Sequence, residues 1–240
     1  HVPPRTRGAE MAIVTVDARM LARLARTAPQ SFAPVDRDPR DDGALVFTGG
    51  TTAAPKGVRL SHAALGSYIT HISEALGDLR ADRFLAETPQ QLLYAIRLGK
   101  TAYASRGRKV RRARHALKLI RAGAVDACFG SPYLWTEMLR LGGPGAIRFP
   151  PTLKTVLLGG APVTPPFLEQ LLPNLDPGTR VLALYGMTEA GPVCVATAGE
   201  KLAFRGDGDL VGAPLGELRV DVPAPGPDGV GEVVVQAHTY

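Results

Sequence analysis

Cysteine is nearly absent from this chain: its 240 residues hold two, Cys128 and Cys194, each in an apolar, strand-like run and neither at a metal-ligand spacing. A disulfide-built scaffold is thereby excluded, and the expectation is two reduced thiols in a cytoplasmic protein. Long apolar runs are missing as well. No stretch approaches the roughly 18 consecutive apolar residues of a membrane-spanning helix. The charged, proline-rich start His1-Val-Pro-Pro-Arg-Thr-Arg7 has no signal-peptide core, so a soluble protein is expected. What is present in quantity is apolar side chain, 45% of residues, enough for one large or two modest cores.

Charge is concentrated. The net charge is +6, and eight basic residues fall between Ser105 and Arg121 with no acid among them: Arg106, Arg108, Lys109, Arg111, Arg112, Arg114, Lys118 and Arg121. Without these eight the balance turns negative, so the basicity belongs to one segment. Val110, Ala113, Leu117 and Ile120 recur there at helical spacing and predict an amphipathic helix with the charges on its other faces. Two readings stay open, a solvated face and a landing strip for an anionic partner. Nucleic acid is not expected, because no aromatic residues interleave with the charges and no known binding module is visible.

The most informative stretch is Thr48-Gly-Gly-Thr-Thr-Ala-Ala-Pro-Lys-Gly57, a loop leaving the apolar run Ala44-Leu-Val-Phe47. Glycines let backbone N–H groups close on phosphate oxygens, threonines add neutral donors, and Lys56 adds a positive charge. It is not a Walker A loop, since Gly57 follows the lysine and a helix signal comes only at Ser61. The alternative is a plain strand-to-helix connection. Further on, Arg180-Val-Leu-Ala-Leu-Tyr-Gly-Met-Thr-Glu-Ala-Gly191 reads as a buried strand that delivers Tyr185, Thr188 and Glu189 at its end, where open α/β sheets place ligands.

Together these two segments resemble the signatures of the adenylate-forming superfamily of acyl- and aryl-CoA synthetases, nonribosomal-peptide adenylation domains and luciferases. Val156-Leu-Leu-Gly-Gly-Ala-Pro162 is similar to the adenine-side turn of that family. The resemblance implies ATP-dependent activation of a carboxylic acid through an acyl-adenylate, with Mg²⁺. It places the β- and γ-phosphates on Thr48, Gly49, Gly50, Thr51, Thr52 and Lys56, the α-phosphate on Thr188, and Mg²⁺ on Glu189. Adenine falls to Tyr185 and Gly186, bounded by Gly160, Ala161 and Pro162. An acceptor, coenzyme A or an acidic carrier protein, is then the anionic partner to consider for Arg106 to Arg121. Within the superfamily the chain is closest in flavour to acyl-CoA synthetases, fatty-acyl-AMP ligases and the β-lactone synthetases of olefin pathways. A non-catalytic nucleotide- or acyl-binding module is the alternative of another class.

Two segments depart from the family pattern. Ala53 stands where the phosphate loop usually has Gly or Ser, and Glu87-Thr-Pro-Gln-Gln-Leu-Leu93 lacks the usual aromatic and gating group, so no acid specificity carries over. The resemblance also implies that the chain is a piece of something larger, lacking the ribose-binding aspartate segment and the mobile C-terminal lysine domain.

The expected fold is α/β, a layered sheet flanked by helices over residues 1–205, then the start of a small β-barrel subdomain over 206–240. A strand at Ala12–Val16 and a helix at Ala18–Arg26 come first. Ser61 starts a helix to about Leu76, with His62 in its first turn. Strands near Thr101–Tyr103 and Ala127–Phe129 bracket the basic helix. Ser131-Pro132 opens a helix through Leu141 with Trp135 in the core, and Thr164-Pro165-Pro166 opens another that Asp176-Pro-Gly178 ends. From about Gly206 the text changes to short Val-rich strands broken by Gly and Pro.

Overall fold

A computed structural model describes residues 35–48, 55–76, 81–105, 107, 110–142 and 147–236. The strand and helix expected over residues 12–26, the loop residues Gly49, Gly50, Thr51, Thr52 and Ala53, and Arg106, Arg108 and Lys109 lie outside it. The chain divides into two compact units, residues 1–62 and 63–240.

In the first unit β1 (Asp42–Thr48) pairs antiparallel with β2 (Lys56–Ser61). Residues 49–55 therefore join two strands, not a strand and a helix. The local reason is period 2: Val58 and Leu60 turn inward while Arg59 points out, where its guanidinium meets the Asp42 carboxylate at 2.9 Å. Both partners of that pair are exposed, so it marks register more than it stabilises. Only at His62 does the chain turn helical, where the His62 N–H bonds to the Asp41 carbonyl at 3.0 Å.

The second unit is built on alternating helices and strands. In chain order they are α1 (His62–Leu76), β3 (Arg83–Ala86), α2 (Pro89–Arg97), β4 (Thr101–Ala104), α3 (Val110–Arg121), β5 (Ala127–Gly130), α4 (Pro132–Gly142), β6 (Thr155–Leu158), α5 (Pro165–Leu171), β7 (Arg180–Met187), β8 (Gly191–Thr197), α6 (Ala198–Ala203), β9 (Ala213–Pro214), β10 (Arg219–Asp221) and β11 (Val234–Gln236). The main sheet has the order β4-β3-β5-β6-β7-β8-β9, parallel from β4 to β7 and antiparallel through β8 and β9. A separate antiparallel pair, β10 with β11, carries the late Val-rich text.

Strand alternation divides the core into two layers. Leu85, Cys128, Val156, Leu158, Val181 and Ala183 face α3, α4 and α5 through Ala113, Leu117, Ile120, Trp135, Met138 and Leu168. Their neighbours Phe84, Ala127, Leu157, Leu182 and Leu184 face Ile72 of α1 and Ala95 of α2. The parallel strands are thus covered on both faces, which is why they read as continuous apolar runs. Trp135 is fully buried and meets Phe149 edge-on at 5.2 Å between ring centroids. Both cysteines are free and buried, and burial pushes the Cys128 thiol up, with the Glu87 charge adding to it.

One buried carboxylate ties the strand starts together. Asp126, just before β5, accepts from the Asp82 and Arg83 N–H groups at 3.0 and 2.8 Å and from Arg83 Nε at 3.2 Å. Removing it orphans two backbone donors and breaks an ion pair with a guanidinium that keeps only its bond to the Gly123 carbonyl among the described residues. Asp126→Ala is therefore expected to lower stability by about 3 kcal/mol, read as a lower denaturant midpoint at unchanged slope.

Candidate functional site

The phosphate-loop residues that are described sit at the mouth of the β1–β2 hairpin. Thr48 and Lys56 are register partners there, and the Thr48 hydroxyl donates to the Lys56 carbonyl at 3.5 Å. Lys56 is exposed, and its main chain rather than its side chain holds the hairpin closed.

In the second unit the other predicted residues gather at the carboxyl ends of two adjacent parallel strands. β6 ends at Leu158, paired with Ala183 of β7, and the chain leaves it through Gly159, Gly160, Ala161 and Pro162. Gly159 packs so tightly on β7 that a Cβ there would stand 3.2 Å from the Leu184 carbonyl oxygen. Gly160, Ala161 and Pro162 are exposed, and so, beside them on the next strand, is Tyr185. A flat apolar ring next to a turn of small residues is suited to stack a planar base.

β7 then doubles back into β8. Met187 opposes Gly191 and Gly186 opposes Pro192, so Thr188, Glu189 and Ala190 form the tip of a hairpin, closed by an Ala190 N–H to Met187 carbonyl bond at 3.3 Å. Thr188 is half-buried and Glu189 exposed at this tip. A cavity of about 370 Å³ opens beside it, lined by Ser67, Tyr68, Met187, Glu189 and Val235 among others. No cluster of three or more His, Cys, Asp or Glu side chains that could cage a metal exists among the described residues. A lone exposed carboxylate suits Mg²⁺, which keeps most of its waters and takes its remaining oxygens from phosphate.

Two features were not legible in the sequence. Tyr68 of α1 donates to the carbonyls of both Thr188 and Glu189, at 3.1 and 2.8 Å, across about 120 residues of chain. Glu87, at the end of β3, is a largely buried hub: it accepts from the Ser131 N–H at 2.7 Å and faces Arg112 at 3.5 Å. Arg112 therefore does not belong to the open charged face of α3, where helical spacing alone put it. Gln91, read as part of an altered gate, instead reaches back to the Glu87 and Thr88 N–H groups at 2.7 and 3.1 Å and caps α2. A Gln three residues into a helix that starts with Pro89 was the available signal.

The remaining described charges of α3 are ordered. Arg111, Arg114, Lys118 and Arg121 are exposed, recur at spacings of three, four and three, and have no ion pair among the described residues. Ala113, Ala116, Leu117 and Ile120 on the opposite side are buried, as their spacing predicts.

A family model for AMP-binding enzymes matches residues 5–239. The chain is similar to the PKS-NRPS hybrid synthetase acdB of Aspergillus candidus, 27% identical over 198 residues, covering 78% of this chain and 7% of the synthetase. It is also similar to the acyl-CoA ligase sidI of Beauveria bassiana, 29% identical over 156 residues, covering 62% of this chain and 27% of the ligase. Among solved structures, O-succinylbenzoate coenzyme A synthetase of Bacillus subtilis in complex with ATP and magnesium superimposes with a TM-score of 0.66 at 23% identity, over 83% of this chain and 42% of that one. The chain thus spans less than half the length of each of these relatives. Among the described residues no helix is long and apolar enough to cross a membrane.

Proposed function

The chain belongs to the AMP-binding enzyme family, and from that premise we propose that it takes part in ATP-dependent activation of a carboxylic acid. The observation that carries the reading is the pairing of an exposed Gly160-Ala161-Pro162 turn with Tyr185, Thr188 and Glu189 on the next strand end. In the reaction a carboxylate oxygen bonds to the α-phosphorus of ATP, the bond from that phosphorus to the bridging oxygen breaks, and pyrophosphate leaves with that electron pair. No protein nucleophile is consumed. The protein holds anions and neutralises charge that grows on the phosphoryl oxygens.

In this reading Tyr185 and Gly186 receive adenine against Gly160, Ala161 and Pro162, and the Thr188 hydroxyl donates to an α-phosphate oxygen. Lys56, with Thr48, Gly49, Gly50, Thr51 and Thr52, takes the charge of the leaving phosphates. Glu189 is the ligand for Mg²⁺, whose bound charge screens the phosphates. The similar Bacillus subtilis synthetase, whose structure holds ATP and magnesium, supports the choice of ligands. Labelled pyrophosphate should exchange into ATP when the full-length protein carrying this chain receives Mg²⁺ and a cognate acid. No exchange across a broad acid panel, from folded protein, overturns the reading.

The acceptor in this proposal is coenzyme A or a carrier protein, and similarity to both an acyl-CoA ligase and a PKS-NRPS synthetase supports an acceptor of that kind. The exposed stripe of Arg111, Arg114, Lys118 and Arg121 is its approach surface. Reversing these four to Glu leaves the apolar side of α3 and the Arg112–Glu87 pair untouched. Pyrophosphate exchange should stay unchanged, while transfer to the acceptor slows about tenfold at low salt and loses its salt dependence. Transfer indifferent to both changes would make the stripe a solvated face.

A further inference from the structure

We infer that Tyr68 of α1 is a positioning residue that fixes the β7–β8 hairpin tip in the orientation Thr188 and Glu189 need. The inference rests on the function proposed for that tip, and it begins from backbone chemistry. At a hairpin tip the ladder ends, so the carbonyls of Thr188 and Glu189 have no partner across the sheet, and buried or half-buried carbonyls without a donor are costly. Tyr68 supplies the donor to both, with the shorter bond of 2.8 Å to Glu189 and the longer of 3.1 Å to Thr188. A phenol has one hydrogen, so the two carbonyls share it and are held to one point.

The ring does the rest. Tyr68 is 7% exposed, and it lies so close to the return strand that a Cβ on Gly191 would stand 2.5 Å from its ring carbons. Hairpin tip and ring are therefore fitted to each other from two sides, by the hydroxyl at Thr188 and Glu189 and by the ring face at Gly191.

An anchored backbone gives the Thr188 hydroxyl and the Glu189 carboxylate fixed starting points. Partners that orient a metal ligand without touching the metal typically matter about tenfold to a hundredfold in affinity. Tyr68→Phe removes the oxygen and keeps the ring. Hydrogen exchange of the ligand-free, full-length protein should then show the 186–191 peptide exchanging faster in Tyr68→Phe than in wild type, Ala190 above all. Calorimetry should show Mg·ATP binding about tenfold weaker, and the Mg²⁺ needed for half-maximal pyrophosphate exchange should rise by the same factor, with the rate largely recovered at saturating metal. Ser73→Ala, which removes a hydroxyl bonded within the same helix to the Ile69 carbonyl at 2.7 Å, should change none of these.

The inference is overturned if folded Tyr68→Phe keeps wild-type exchange at the tip and wild-type Mg·ATP affinity. A lower melting temperature with both unchanged also overturns it, because the hydroxyl then serves only packing. A wild-type protein that activates no acid would refute the proposed reaction instead, while the hydrogen-exchange comparison would still decide whether Tyr68 holds the tip.

Discussion

Lys56→Ala and Glu189→Gln are each expected to slow pyrophosphate exchange about a hundredfold, close to 3 kcal/mol of transition-state stabilisation, while leaving the fold intact. Both parts of the expectation come from where the side chains stand. Lys56 opens β2 opposite Thr48, a pairing made by main-chain atoms, so truncating an exposed side chain does not loosen the strand. Glu189 is exposed at the hairpin tip and has no ion pair among the described residues, and glutamine keeps its shape. What each substitution removes is charge, and charge matters most as the pyrophosphate leaves. A loss confined to the apparent affinity for ATP, with the maximal rate kept, would mean that the residue binds substrate and transition state equally. Wild-type exchange in both variants, with unchanged circular dichroism, would remove the phosphate and magnesium roles assigned here.

Lys56 and Glu189 stand out in the sequence as candidates because their chemistry is local: glycines, hydroxyls and one lysine in a loop, and a Thr-Glu pair at the end of an apolar strand. Elements with strong punctuation are legible too. Ser131-Pro132 and Thr164-Pro165-Pro166 mark helix starts that the structure keeps, and the Val110, Ala113, Leu117 and Ile120 spacing gives the inner side of α3. Illegible parts were short or long-range. β3 is four residues, Arg83-Phe-Leu-Ala86, too short to show a period, and the start of α2 behind it reads only as a segment that lacks the family's gating group. α6 did carry a signal that was passed over, the Thr197-x-x-Glu200 box, in which the Glu200 carboxylate accepts from the Thr197 N–H and the Thr197 hydroxyl accepts from the Glu200 N–H.

Side chains whose meaning lies in a distant partner were silent. Lys201 reads as a surface residue on a helix, yet it is 3% exposed and donates to Asp209 and to the Leu210 carbonyl, holding down the chain after α6. Arg112 looks like its neighbours on a helical wheel, but only the crossover that brings α3 past the end of β3 sets it against Glu87. Tyr68 belongs to the same class. Helical spacing explains why it is buried, and nothing nearby in sequence says what its hydroxyl meets.

Two glycines of the site should separate close packing from backbone strain, with effects of different size. At Gly186 an added Cβ would stand 2.2 Å from the Gly191 carbonyl oxygen, a backbone atom fixed by the Met187–Gly191 pairing. The hairpin must open to admit it. Gly186→Ala is expected to cost about 3 kcal/mol of stability. Pyrophosphate exchange should also fall at least about a hundredfold, because displacing the tip by an ångström misplaces Thr188 and Glu189 together. Gly160 is the converse case: its φ is +77°, and nothing lies within 4 Å of its would-be Cβ. Gly160→Ala meets only the left-handed backbone, a strain of about 1 kcal/mol. If that turn faces adenine, the variant raises the half-saturating ATP concentration out of proportion to this small loss, since the methyl group occupies space the base requires. Thermal melts of both variants beside ATP titrations decide it. A Gly160→Ala protein with unchanged ATP affinity would take the turn away from the base, and a Gly186→Ala protein with wild-type exchange would show that the hairpin tip tolerates movement that the proposed chemistry does not.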